Sequence, residues 1–433
     1  MVNGIFLPNS PAIYNAGFTN MYHACCVMPI EDDMKSIAEF KYRTMMMFKY
    51  GAGVGTNFSF LREKDAPLSG GGKSSGIVSL MESINGDTEY VKQGGYRRGA
   101  FMSILDYDHP EIINFVTRKL RGGLENMNLS VMVDNKFMEQ VNKKNHDLFD
   151  IISFCSWMVG CPGLLFFDRI NQDNKLYPTQ VINATNPCSE SPLPDNTLCT
   201  LGSINLSELV NGNNFDMDRF IRIIRFVSNI LVSLNQNGYY PFPEFQENML
   251  KYNPIGLGIM GFADCLIKLG IYYDSKECLE FIDKIGEVLK RVTNESTSES
   301  FYHNILAPTG SLSILADCSS GIEPVFNDVF ERNLVAGKFE ETRKIYKSQY
   351  TRLAHDIEPE WHIKVLAQWQ KWIDGGVSKT INMPYDTTVH NVKNAFKLAW
   401  KLGCKGITIY RDTSKENQPL RKVVKCEGEE CSL

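Results

Sequence analysis

Hydrophobic and polar positions recur at helical spacing across Asp32–Tyr50, where acidic residues lead and Lys49 closes the run. That pattern predicts a helix whose charges suit its dipole. Asn135–Asn174 joins a polar helical stretch to the apolar SFCSWMVGCPGLLFFDRIN, which predicts a buried strand and its lead-in. Asn253–Gly270 begins with spaced glycines and continues at helical spacing, as helix–strand packing would require. Ser378–Asp412 predicts a strand, a helix from about Thr387 to Leu402 and a second strand, a βαβ unit. FLPNSPAIYNAG near the start is strand-like, broken by proline and ended by a turn. Ser69–Gly76, SGGGKSSG, predicts a flexible loop, and Gln93–Phe101 a second glycine-rich one. From Thr413 the chain is polar and charged, which predicts a mobile tail.

One stretch fits neither period. Asn183–Leu206 reads NATNPCSESPLPDNTLCTLGSINL, and Pro187, Pro192, Pro194 and Gly202 make it a poor helix and a poor central strand. It predicts a shaped loop that presents side chains.

Composition narrows the class. With 433 residues, 43% hydrophobic, 22% charged and a net charge of -5, the chain can bury a large core. Its length would allow two or three domains, yet an α/β barrel of this size can be one. The acidic balance argues against a nucleic-acid surface. No apolar run of membrane-spanning length and no secretory signal at Met1–Asn20 is present, so an intracellular, cytoplasmic protein without a membrane partner is expected. Twelve cysteines without a regular framework fit a reducing compartment. Cys426 and Cys431 enclose four residues but have no second cluster to complete a zinc site, so no metal is expected. Cys155, Cys161, Cys265, Cys278, Cys318 and Cys404 stand in apolar or helical context and read as core.

The candidate chemistry lies in the loop. Cys188 stands between Asn186 and Glu190, with Cys199 shortly after. An isolated cysteine beside a carboxylate is most simply a small buried apolar residue. The whole string, Asn-x-Cys-x-Glu followed by Leu-Cys-Thr-Leu-Gly-Ser-Ile-Asn-Leu, closely resembles the active-site finger loop of ribonucleotide reductase large subunits. The resemblance implies that Cys188 carries a transient thiyl radical, that Asn186 and Glu190 handle substrate hydroxyls, and that Cys199 is half of a redox pair. A weak S–H bond suits hydrogen-atom transfer, and a nearby carboxylate can take a hydroxyl proton.

Other motifs carry the same resemblance. NSPAIYNAG is similar to the family's phosphate-side segment and puts Ser10 among the substrate contacts. HACCVMP resembles Ser-Ala-Cys, which makes Cys25 the partner of Cys199 and Ala24 a substrate neighbour; two buried thiols on a strand is the plain alternative. Gly51-x-Gly53-x-Gly55 is spaced too closely for a dinucleotide fingerprint and follows a helix; Gly53 resembles a contact where the missing side chain lets backbone approach the ribose. Thr309, Gly310, Ser311, Leu312 and Ser313 resemble the loop that cradles the substrate diphosphate, small residues at a helix start leaving N–H donors free. In dimeric relatives the loops holding Gly70, Gly71, Arg97 and Arg98 bracket a specificity site. The resemblance implies a deoxynucleotide effector near Asp33, Lys49 and Arg62, and leaves open whether the chain forms a homodimer. A solvated arginine pair explains Arg97 and Arg98 equally well. Cys426 and Cys431 are similar to tail thiols that exchange with the buried pair and are reset by thioredoxin or glutaredoxin.

The resemblance spans about Phe6 to Asp412 plus the tail cysteines. It implies an α/β fold, a ten-stranded barrel of two half-barrels with the cysteine finger inside, as one catalytic domain over 1–412 with a tail over 413–433. The chain starts near the first substrate segment, so an N-terminal ATP cone and overall control by ATP and dATP are expected to be absent. Relatives driven by a ferritin-like metal subunit pass the radical through two adjacent tyrosines. Here the place reads Thr408-Ile409-Tyr410-Arg411-Asp412, and Tyr-Arg-Asp resembles the adenosylcobalamin-dependent class, which is favoured. Cys-x4-Cys also ends class I chains, so a class I-like catalytic subunit stays open, with Tyr410 as the relay and a di-metal centre in its partner. Two rivals are a glycyl-radical enzyme, for which the tail offers only Gly428 in an acidic context, and a catalytically dead nucleotide-binding regulator, which would be expected to have lost Cys188, Glu190 or the redox pair.

Overall fold

The computed structural model describes residues 3–93, 97–326, 329–334, 337–342, 348–414 and 420–422. One sheet takes in ten strands: β1 (Phe6–Pro8), β2 (Cys25–Val27), β3 (Gly53–Asn57), β4 (Phe101–Asp106), β5 (Met127–Val133), β6 (Gly163–Phe166), β7 (Thr197–Asn205), β8 (Ile255–Met260), β9 (Thr380–Met383) and β10 (Gly406–Arg411). β2 to β6 lie side by side and all parallel. β7 and β8 are parallel, as are β9 and β10. The space between β8 and β9 is bridged in parallel by Leu257 with Asn304 and by Leu306 with Val377, so residues 304–306 act as a further strand. The two parallel groups meet at antiparallel seams, β2 on β7 and β6 on β10. The result is a closed barrel of two halves, with β1 added antiparallel to the far end of β7.

Period-two alternation divides the strands between two cores. On β5, Met127, Leu129, Val131 and Val133 face outward into the layer shared with the helices, while Met132 joins a separate inner cluster with Ala24, Cys25, Ile104, Cys199 and Tyr302. The outer layer is aromatic at its centre: Phe101 packs edge-on to Phe40 at 6.2 Å and stacked on Phe58 at 6.0 Å. Truncating such a fully buried phenylalanine costs about 3–5 kcal/mol.

The expected Asp32–Tyr50 helix runs Met34–Lys49, and Asp33 caps it by accepting from the N–H groups of Lys35 and Ser36. The C-terminal βαβ unit is β9, the helix Val389–Lys401 with a Thr388/Asn391 capping box, and β10.

Two expectations are corrected. SFCSWMV is not a lead-in to a strand but the end of a helix, Asp147–Val159, stopped by Gly160 at φ +67, and the strand is only β6. Asn183–Leu206 is not all loop: after Pro194 no proline interrupts it, and Thr197–Asn205 becomes a nine-residue, fully buried strand. The six cysteines read as core are all buried. Past Thr413, Leu420–Lys422 pairs antiparallel with Phe330–Arg332, whereas Cys426 and Cys431 lie outside the described residues. Among the described residues no helix is long and apolar enough to cross a membrane, and no cluster of His, Cys, Asp or Glu could hold a metal.

Candidate active site

The finger is a narrow loop closed by an antiparallel bridge between Thr185 and Pro192, with Pro187, Cys188 and Ser189 at its tip. The Asn186 side chain accepts from Ser191 N–H at 2.9 Å, and Ser189, at φ +66, donates its N–H to Asn186 O at 3.0 Å. The loop fits because three glycines leave room for it. A Cβ on Gly55 would stand 1.7 Å from Thr185 O, one on Gly53 2.9 Å from the Pro187 ring, and one on Gly376 2.8 Å from the carbonyl oxygens of Ser189 and Glu190. The absent side chain of Gly53 therefore admits the finger's own proline. Gly55 and Gly376 were not singled out in the sequence; the Gly-x-Gly rhythm of β3 was the available sign for Gly55.

Hydrogen bonds from both half-barrels hold the loop. Asn57 donates to Asn183 O at 3.2 Å, Asn128 to Pro187 O at 2.7 Å, and Gly376 N–H to Glu190 O at 2.7 Å. Neither asparagine was legible in the sequence, where each is an ordinary polar residue in a strand.

The finger sits over the two thiols. Cys25 and Cys199 are directly opposite across the β2–β7 seam. Facing residues of an antiparallel pair lie within the Cα separation that a disulfide spans. Asn186 Nδ2 contacts Cys25 Sγ at 3.0 Å, and Cys25 Sγ donates to Glu190 Oε1 at 3.8 Å. Burial, together with the negative charge of Glu190, pushes the Cys199 thiol well above its ordinary pKa. Strand alternation also separates the adjacent cysteines: Cys25 faces inward and Cys26 is buried in the outer layer. Cys188 itself is exposed at the tip, whereas Asn186 and Glu190 are each 2% exposed. The constellation can present one accessible sulfur to a ligand above a dithiol kept from solvent.

Ser10 opens a short helix, Ser10–Tyr14, beside β7, where Asn9 donates both its backbone and side-chain N–H to Leu201 O. Thr309 precedes the helix Gly310–Leu315, and its hydroxyl accepts from Gly321 N–H at 2.7 Å. Gly310 and Ser311 are exposed, while Leu312 and Ser313 are buried. Leu7, Leu312, Met260 and Cys318 form one small core, with Ile13 and Ala316 against it, so the two segments stand together. Leu306 donates its N–H to Gly376 O, which ties this side to the finger.

On the opposite seam, Thr408 and Tyr410 alternate with Ile407 and Ile409, which pack outward. Thr408 is exposed, and its Oγ1 with Ser130 Oγ crowds Gly163 on the inner face. Burial and then Asp412 push the Tyr410 hydroxyl up to about 12.

The expected effector residues do not form a single group. Arg62 pairs with Asp32 at 2.7 Å, next to the capping Asp33, whereas Lys49 lies at the other end of the sixteen-residue helix, about 24 Å away at 1.5 Å per residue, over the Tyr50 ring. Gly70 and Gly71 stand on an exposed turn bridged by Pro67 and Lys73. Arg97 and Arg98 form a two-residue strand paired with Lys92–Gln93, and their side chains lie outside the described residues.

The family described as ribonucleotide reductase, barrel domain, matches residues 23–146, 143–301, 295–351 and 340–410. A vitamin B12-dependent ribonucleoside-diphosphate reductase of Thermoplasma acidophilum is 35% identical, over 96% of this chain and 64% of that protein. One of the same description from Mycobacterium tuberculosis is 33% identical, over 96% of this chain and 71% of that protein. The chain thus spans roughly two thirds of these relatives' length. A class Id ribonucleotide reductase alpha subunit of Actinobacillus ureae has the same fold, with a TM-score of 0.80 at 19% identity over 95% of this chain and 88% of that one.

Proposed function

Since the chain belongs to the ribonucleotide reductase barrel-domain family, we propose that it reduces ribonucleotides, ribonucleoside diphosphates first among them, to 2′-deoxyribonucleotides that serve as DNA precursors. The observation that carries this reading is the register of Cys25 against Cys199 beneath a loop whose Asn186 and Glu190 both reach Cys25.

In this reading Cys188, as a thiyl radical, takes the 3′ hydrogen atom of the ribose and later returns it. Glu190 accepts the 3′ hydroxyl proton, with Asn186 orienting that hydroxyl, and gives the proton back at the end. Cys25 and Cys199 together yield two electrons and two protons. One hydrogen enters the new 2′ C–H bond, the other leaves in the water formed from the 2′ hydroxyl, and the sulfurs finish as a disulfide. Burial suits Cys25 and Cys199 to this work: it raises the Cys199 thiol well above its ordinary pKa and keeps both sulfurs from competing oxidants. Ser10 with Thr309–Ser313 would receive the diphosphate.

The radical source follows the relatives described as vitamin B12-dependent. Bound adenosylcobalamin would supply the initiating carbon-centred radical. Thr408 and Tyr410, on the inner side of β10, are the residues that would face it; a small, exposed Thr408 leaves space there, and one tyrosine cannot form the adjacent pair that a relay from a metal subunit uses. Redox partners of the thioredoxin or glutaredoxin type, a tail shuttle through Cys426 and Cys431, and a deoxynucleotide effector near Asp32, Asp33 and Arg62 complete the proposal.

The test is CDP reduction by the purified chain with adenosylcobalamin and dithiothreitol, in parallel with a metal-loaded ferritin-like subunit. Product with adenosylcobalamin alone is the expected result, and product only with the metal subunit would overturn the cofactor assignment. Cys188→Ser should abolish reduction under every condition; substantial activity in that variant would overturn the mechanism.

A further inference from the structure

We infer that Asn128 is a positioning residue for the finger cysteine, fixing the Pro187–Cys188 peptide from the wall of the first half-barrel. The inference rests on the proposed role of Cys188.

Cys188 lies at the exposed tip of the finger, so its sulfur is carried wherever the loop backbone goes. That backbone is held at defined points. Asn128 Nδ2 donates to Pro187 O at 2.7 Å, and the Pro187 carbonyl shares a rigid plane with the N and Cα of Cys188. The Pro187 ring, whose own φ is fixed, rests against Gly53. On the far side of the tip, Gly376 N–H holds Glu190 O. The two half-barrels therefore grip the loop one residue before the sulfur and two residues after it.

Asn128 is suited to the task by its strand. It shares the inward parity of Ser130 and Met132, and it is the exposed position in an otherwise buried β5. An exposed asparagine on a barrel's inner wall has no packing role that a serine or alanine could not fill. Its amide donor, aimed at the carbonyl that precedes the finger cysteine, supplies a reason for the residue type. Hydrogen-atom transfer tolerates little displacement, and a misplacement of about 1 Å costs roughly a hundredfold in rate.

The test uses Asn128→Asp, nearly isosteric but lacking the donor, and Asn128→Ala. Both should lower kcat for CDP at least tenfold, with KM changed less than threefold. Amide exchange of Ser189 and Ser191 should quicken at least tenfold in either variant while exchange in β5 is unchanged, a readout that needs neither cofactor nor turnover. Unchanged kcat, a KM raised tenfold at constant kcat, or unchanged finger exchange would overturn the inference. An inactive wild-type chain would overturn the proposed function instead, and the exchange measurement would still decide for or against the tether.

Discussion

Replacing Gly376 with alanine should move the finger and slow the reaction while the barrel stays folded. The added Cβ would stand 2.8 Å from the carbonyl oxygens of Ser189 and Glu190 and 2.9 Å from Glu190 Cα. Ordinary contact begins near 3.4 Å, so something must yield by about 0.6 Å. All three neighbours are backbone, and no rotamer change can absorb the shift. The Gly376–Glu190 hydrogen bond must stretch from its 2.7 Å as the loop moves. Catalytic groups need placement to within roughly 0.5 Å, and a displacement of about 1 Å costs about a hundredfold. The Gly376→Ala enzyme should therefore lose about ten- to a hundredfold in kcat, about 1.4–2.7 kcal/mol of barrier, and about 1–3 kcal/mol of stability through overpacking. The assay is steady-state CDP reduction with saturating dithiothreitol, alongside urea unfolding. Gly86→Ala is the control: it lies within a helix with no atom within 4 Å of its Cβ, and it should gain about 1 kcal/mol at unchanged kcat. A Gly376→Ala enzyme within threefold of the wild-type kcat would refute the claim that this glycine exists to let the finger pass.

Cys25→Ser should end net reduction with every reductant, since the facing Cys199 can no longer close a disulfide; retained turnover would return the pair to ordinary core cysteines. Asn186→Asp removes the donor to Cys25 and puts a second negative charge beside Glu190, so disulfide formation on oxidation, followed by thiol counting, should slow several-fold. Breaking the half-exposed Arg62–Asp32 pair with Arg62→Ala should change stability by no more than about 1 kcal/mol while removing any response of turnover to deoxynucleotides; an intact response would detach that site from regulation. Burial holds His23 down to about 3 and His362 to about 2, so both stay neutral in the folded chain where unfolded histidine titrates near 6.5. Their contribution is complete above pH 6.5 and is lost as the pH falls toward those folded values. His303, which burial first and then Lys175 hold down to about 4, behaves the same way, so urea unfolding at pH 5.5 should show about 4 kcal/mol less stability than at 7.5, and a flat profile would mean that the folded state binds those protons.

Much of the candidate site was legible in the chain because it is local. Asn186, Cys188 and Glu190 stand within five residues, and prolines around them announce a shaped loop. Helix spacing and a capping acid gave Met34–Lys49, and the last βαβ unit emerged within two residues at each end. The misreadings were local competitions as well: SFCSWMV is apolar enough for a buried strand, yet joined to the preceding residues from Asp147 it completes a thirteen-residue helix that Gly160 can terminate. What only the tertiary structure decided are relations between distant segments. Neighbouring Cys25 and Cys26 look alike in the sequence, and strand parity alone turns one toward Cys199 and the other into the outer core. Asn128 and Gly376 carry no mark in the sequence, and they matter because chain closure brings a strand of one half-barrel and a turn of the other against the same loop. Periodicity along a chain reports which side of an element is buried, whereas the identity of what lies across the gap is fixed only when register and closure bring remote backbone into contact.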